Sequence, residues 1–125
     1  MPFDGKGFEQ ASTTQPDQQR DQLRRDLNVL MLARQSLAQR GKWCQGTMAN
    51  EKGARCVWGW LQTHTRPDHA EYLLHEHLDP IARNLNKRVF PDSGHATVRF
   101  NDSYRTRKRD VIELMDMAIA LIGEE

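Results

Sequence analysis

Residues 41–61 constrain the fold of this chain more than any other stretch. All three tryptophans and both cysteines lie there, in Gly41-Lys42-Trp43-Cys44-Gln45-Gly46 and again in Cys56-Val57-Trp58-Gly59-Trp60-Leu61. Large rings beside backbone that accepts tight turns mark a point around which the rest of a domain packs. They do not name a reaction. What the sequence defines is a fold class, an expected compartment and a set of surfaces able to bind.

At 125 residues the chain is expected to form one domain. That length buries roughly 65% of the unfolded surface, so neither a disulfide nor a metal is needed for folding. Hydrophobic residues at 38% and charged residues at 28% suit a soluble globular protein. A net charge of +1 excludes strong bulk attraction to nucleic acid or anionic lipid, so such affinity would need a local patch. Two cysteines are too few for a disulfide framework. No apolar run approaches the roughly 20 residues of a membrane span, and the first residues lack a signal peptide's apolar segment. The expectation is a cytoplasmic protein with reduced thiols, no membrane partner and no cofactor.

Residues 1–19 are rich in Gly, Pro, Gln, Ser and Thr without apolar period and read as a disordered tail, with residues 20–125 as a helical domain. A first helix is expected over about 17–40, where Leu23, Leu27, Leu30, Leu37 and Ala38 recur at helical spacing. Val29, Leu32 and Ala33 widen that stripe, and Gly41 is a natural stop. A turn-rich connection leads to a short helix over 54–63, apolar nearly all round, with Gly59 inside it for close approach of another helix backbone. Pro67 opens a third helix over 67–78, and Asp79-Pro80 reads as a new cap and first turn of another, ending near Leu85. Residues 86–103 read as irregular, and the period of 96–100 does not decide between helix and extended chain. The last helix, over 106–122, places Val111, Leu114, Met115, Ala118, Leu121 and Ile122 on one face. No segment alternates with period two. The fold class is therefore all-α, a small bundle of four to five helices.

With these elements placed, the chain resembles a group of small bacterial and phage proteins of unknown function, the DUF6197 family. The resemblance rests on Gly41, Trp43, Gln45 and Gly46, on Cys56, Gly59 and Leu61, on Phe100-Asn101-Asp102, and on the amphipathic stretch 111–120. It covers most of residues 23–121. Lys42 and Trp60 depart from the pattern. The resemblance implies an α-helical fold and a bacterial or phage origin, and it implies no activity.

Cys44 and Cys56 stand twelve residues apart, without the Cys-x₂₋₄-Cys spacing that brings two thiolates onto one zinc ion. Cys56 reads as buried and inert, Cys44 as the more exposed. His75 and His77, two apart, point in different directions on a helix, and His69 and His75 share no face, so the histidines of residues 69–77 read as a solvated surface. Trp58 reads as core. Trp43, with Cys44 and Gln45 beside it, forms a candidate partner-binding surface. Arg99, Arg105, Arg107, Lys108 and Arg109, with Tyr104 among them, form a basic cluster. Lys108 and Arg109 fall at a helix start, where the dipole disfavours cations by about 0.3–1 kcal/mol each. The cluster is thus a candidate anion or nucleic-acid site, set against pairing with Asp102, Asp110 and Glu113. Asn101-Asp102 reads as a turn or cap for the last helix. No residue set qualifies as catalytic or metal-binding by spacing.

The primary expectation is a non-enzymatic helical module that binds an unidentified protein partner. Nucleic-acid or anion binding through residues 105–109 is the alternative. A small enzyme or metal protein using Cys44, a histidine and Asp102 is the third.

Overall fold

The computed structural model describes residues 16–85 and 94–124. Helix α1 (Pro16–Ala38) is the longest element. Its stripe buries Val29, Leu30, Ala33 and Leu37 as the period requires, whereas Leu32, expected on the widened face, is exposed. The helix begins at Pro16, so residues 17–19 belong to it rather than to a tail; the rest of the tail expectation, residues 1–15, lies outside the described residues.

Residues 42–56 fold back on themselves through single backbone pairings of Arg55 with Trp43 and with Ala49. Gly46 and Gly53 take the positive φ that their turns require, at 81° and 85°. Helix α2 (Val57–His64) starts at Cys56, whose Sγ accepts the Gly59 N–H at 3.4 Å. A β-carbon on Gly59 would stand 2.3 Å from the carbonyl oxygen of Met48. The close approach expected there is real, but it is made by the folded-back loop and not by a second helix.

Helix α3 (Pro67–Leu73) runs into a π-helical turn (Leu74–Leu78) and on into α4 (Asp79–Leu85). Asp79 does not open a new helix, contrary to its reading as a cap. Its backbone is right-handed helical (φ −58°, ψ −42°), and its N–H donates to the Leu74 carbonyl, five residues back. Pro80 has no N–H, and its ring would crowd the carbonyl four residues earlier in a regular helix. The wider turn relieves that conflict and keeps the helix continuous.

Residues 96–102 resolve as helix α5 (Ala96–Asp102), and α6 (Lys108–Gly123) closes the chain. Residues 86–93, part of the stretch read as irregular, lie outside the described residues. Helix α6 buries Val111, Leu114, Met115, Ala118 and Ile122 but leaves Leu121 53% exposed, so Leu121 is not part of the stripe. It runs antiparallel to α1. Lys108 reaches the carbonyl of Gln39 at one end, and Arg34 meets Asp116 at 2.9 Å nearer the other. The core forms between these two helices, α2, and the α3–α4 rod, with Leu61, Leu73, Leu74, Leu78 and Leu114 fully buried. Among the described residues there is no strand, and the protein is a small all-α domain. No helix of the described residues is long and apolar enough to cross a membrane.

Candidate functional site

The tryptophan-rich loop is tied to the end of α5 by one buried amide. Asn101 Oδ1 accepts the Trp43 indole N–H at 2.8 Å and the Val57 backbone N–H at 3.2 Å, and its Nδ2 donates to the Cys44 carbonyl at 3.2 Å and to Asp102 at 2.9 Å. Gln45 Nε2 reaches the carbonyls of Asn101 and Ser103, each at 2.8 Å, and Asp102 accepts the Gly46 N–H at 3.0 Å. Asn101-Asp102 thus clamps a distant loop rather than capping α6. The polar groups of Trp43 and Gln45, candidate partner contacts by sequence, are engaged inside the molecule. Trp60 Nε1 donates to the Lys42 carbonyl at 2.7 Å. Trp58 is half-buried rather than fully core, edge-on to His95 with ring centroids 5.4 Å apart.

Cys44 lies in this knot. Its Sγ donates to the Thr47 carbonyl at 3.6 Å. Burial, with the charges of Cys56 and Asp102 adding, pushes its thiol above the ordinary value, and burial does the same to Cys56. A raised pKa keeps both protonated, the opposite of a nucleophilic cysteine. The structure brings Cys44 near Asp102, but no histidine bonds to either.

The basic cluster divides. Lys108 Nζ donates to the Gln39 carbonyl at 2.5 Å, just past the end of α1, an oxygen that also accepts the Lys42 N–H at 3.2 Å. The Arg107 backbone N–H donates to Asp110 at 2.8 Å, which caps α6. Arg105 lies over the Tyr104 ring at 5.5 Å, and Tyr104 is 80% exposed. Arg109 is exposed, and Arg99 is partly buried on α5. The small cleft beside Arg105 also holds Asp110 and Glu113.

Two buried carboxylates form the cores of the remaining polar clusters. Asp79 Oδ1 accepts the Thr97 N–H at 2.9 Å and its hydroxyl at 2.6 Å, and Oδ2 pairs with His95 Nδ1 at 2.7 Å. Asp79 therefore supplies, from another helix, the acceptor that the start of α5 lacks.

Asp26 is the second, wholly buried on the apolar stripe of α1. Its Oδ1 accepts from Gln22 Nε2 at 2.9 Å and pairs with His69 Nε2 at 2.8 Å; its Oδ2 pairs with His77 Nε2 at 3.0 Å. Burial pushes its pKa up, but the hydrogen bonds from His77, His69 and Gln22 and the charge of His77 outweigh this and leave it below the ordinary carboxylate value. An ionised carboxylate only accepts, so both histidines donate through Nε2. His69 Nδ1, in the neutral ring, then accepts the Thr65 hydroxyl at 2.7 Å. Tyr72 stacks on His69, with centroids 6.2 Å apart, and meets His77 edge-on. Burial and the charges of Asp26 and Glu76 raise the Tyr72 pKa, so its phenol stays protonated.

The spacing of eight between His69 and His77 departs from one face of a regular helix by most of a quarter-turn. The i→i+5 turn between them holds extra chain, so eight residues cover about two turns and both rings reach one carboxylate. This is why His69 and His77, expected as solvated surface, instead converge, while His75 is exposed as expected. The signal available in the sequence was Asp26 itself, a carboxylate between Leu23, Leu27 and Leu30.

The face of this cluster is one wall of an open groove of about 1250 Å³. Gln18, Gln19, Gln22, Leu23 and Arg25 line it from α1, and Thr65, Arg66, Asp68, His69 and Tyr72 from the α2–α3 junction. Among the described residues, no group of three His, Cys, Asp or Glu side chains is set to hold a metal ion. Neither the curated proteins nor the solved structures contain a match to the chain. The knot of Trp43, Gln45, Gly46, Asn101 and Asp102 lies within residues 22–121, the span matched by the model of a family of unknown function, and the chain belongs to that family, DUF6197.

Proposed function

We propose that this protein is a non-enzymatic interaction module whose groove between α1 and the α2–α3 junction receives a segment of a partner protein. The groove itself carries the reading. At about 1250 Å³ and open to solvent, it exceeds the roughly 300–1,000 Å³ typical of small-molecule clefts and cavities and suits an extended chain. Its wall is stiffened from behind by Asp26, which holds His69 and through it Tyr72. The same proposal has the protein work in a cytoplasm, where Cys44 and Cys56 would stay reduced, and come from a bacterium or phage, an origin that the family resemblance supports.

A photo-crosslinking residue in place of Gln19 tests this. Cross-links to one partner, lost when Tyr72→Ala is added and retained with Arg105→Gln, are expected. Cross-links that instead vanish with Arg105→Gln would move the function to the basic cluster. The exposed Tyr104–Arg105 pair favours that second reading, binding to a nucleic-acid backbone. Its mark is a salt-sensitive gel shift with mixed single-stranded DNA, lost in Arg105→Gln.

A further inference from the structure

We infer that the groove selects an acidic segment, one that places two separated Asp or Glu carboxylates against Arg25 and Arg66; this rests on the groove being the binding surface. Its lining carries two guanidiniums, one from each wall, against one carboxylate, Asp68. Arg25 Nη2 donates to Gln22 Oε1, a neutral acceptor, at 3.0 Å, and among the described residues Arg25 forms no ion pair. Arg66 Nε is 3.6 Å from Asp68, with side chains 82% and 76% exposed. An ion pair so long and so solvated exchanges readily for a better one. Asp26 cannot turn outward to neutralise either arginine, because both its oxygens are held by Gln22, His69 and His77.

Guanidinium forks match carboxylates in paired hydrogen bonds. Cations on opposite walls fit two single charges spaced along a chain better than one phosphate, which is best held by donors converging on a point. Between them, Leu23 and the face of Tyr72, 42% exposed, offer contact for an apolar or aromatic residue of the same segment.

The test is a titration of the isotope-labelled full chain, followed by amide NMR, with four dodecapeptides of one design. In the first, Asp and Glu flank a Phe; in the second they become Asn and Gln; in the third, Lys; in the fourth, phosphoserine. The acidic peptide is expected to shift amides of residues 18–25 and 65–72, with affinity falling as salt rises. Arg25→Gln and Arg66→Gln are each expected to weaken it by about tenfold or more without changing the melting temperature. Equal binding of the neutral or Lys peptide in the groove overturns the acidic preference and leaves the groove as the binding surface. So does tighter binding of a phosphoserine version, which points to phosphate. If none of the peptides moves the groove amides, the acidic inference fails, and cross-linking through Gln19 then decides separately whether the groove binds at all.

Discussion

Asn101 shows how much one buried side chain can hold. It satisfies the Trp43 indole, the first N–H of α2 and the Cys44 carbonyl, three groups from two places in the chain. Asn101→Ala strands them, and each buried polar group without a partner costs about 1–3 kcal/mol. Urea unfolding is expected to show a loss of at least about 2 kcal/mol, and a loss under about 0.5 would mean water replaces the amide. Gly59→Ala tests the same region from its other side. The added carbon would meet the Met48 carbonyl oxygen at 2.3 Å, and a backbone oxygen cannot swing away as a side-chain tip does. The loop must shift, at about 1–3 kcal/mol, the range of overpacked sites. A variant as stable as the parent would show that the loop yields freely. The residues in this region were legible as important, since tryptophan, glycine and Asn-Asp stand out by type. Their partners were not, because bonds between residues 43 and 101 leave no spacing to read.

At the scale of elements, periodicity located α1 and α6 well, and it failed where a helix departs from 3.6 residues per turn. The π turn is the clearest case. Asp79-Pro80 has the composition of a helix start, yet the chain continues through it, because widening one turn accommodates the missing N–H. Helix ends depend on partners that sequence does not show. Lys108 and Arg109 look alike at the start of α6, where a positive charge is disfavoured. Only Lys108 reaches across to the Gln39 carbonyl just past the end of α1. Lys108→Ala is therefore expected to lower stability by about 0.5–1 kcal/mol, because losing a hydrogen bond from a charged donor, about 1.5 kcal/mol, outweighs the relief of about 0.3–1 kcal/mol at the start of α6. Arg109→Gln is expected to leave stability unchanged or raise it by about 0.3–1 kcal/mol. Equal effects of the two substitutions in thermal melts would show that the contact with Gln39 contributes nothing.

The whole molecule is bound together by Asp26, which links the first helix to two histidines on the α3 rod while the groove opens beside them. Helical class and core were readable from apolar spacing alone, but this site assembles from positions 22, 26, 65, 69, 72 and 77 only once the rod and α1 are packed. A fully buried ionised carboxylate makes the fold sensitive to acid, and the sign follows from the direction of its shift. Its folded pKa lies below the unfolded value of 3.8. The stability it contributes is therefore fully present above about pH 5 and is lost as pH falls through 3.8 and then through the folded pKa. Asp26→Asn keeps the shape but gives one histidine N–H a donor to face instead of an acceptor, at about 1–3 kcal/mol near neutral pH. Urea unfolding of the two proteins from pH 7 to pH 3 is expected to show a gap that is constant down to about pH 5 and narrows below it, because the parent loses what the variant never had. A gap that stays constant to pH 3 would mean that Asp26 titrates alike in the folded and unfolded chains, and that the carboxylate is a passive hydrogen-bond acceptor rather than the charge that holds the groove wall in place.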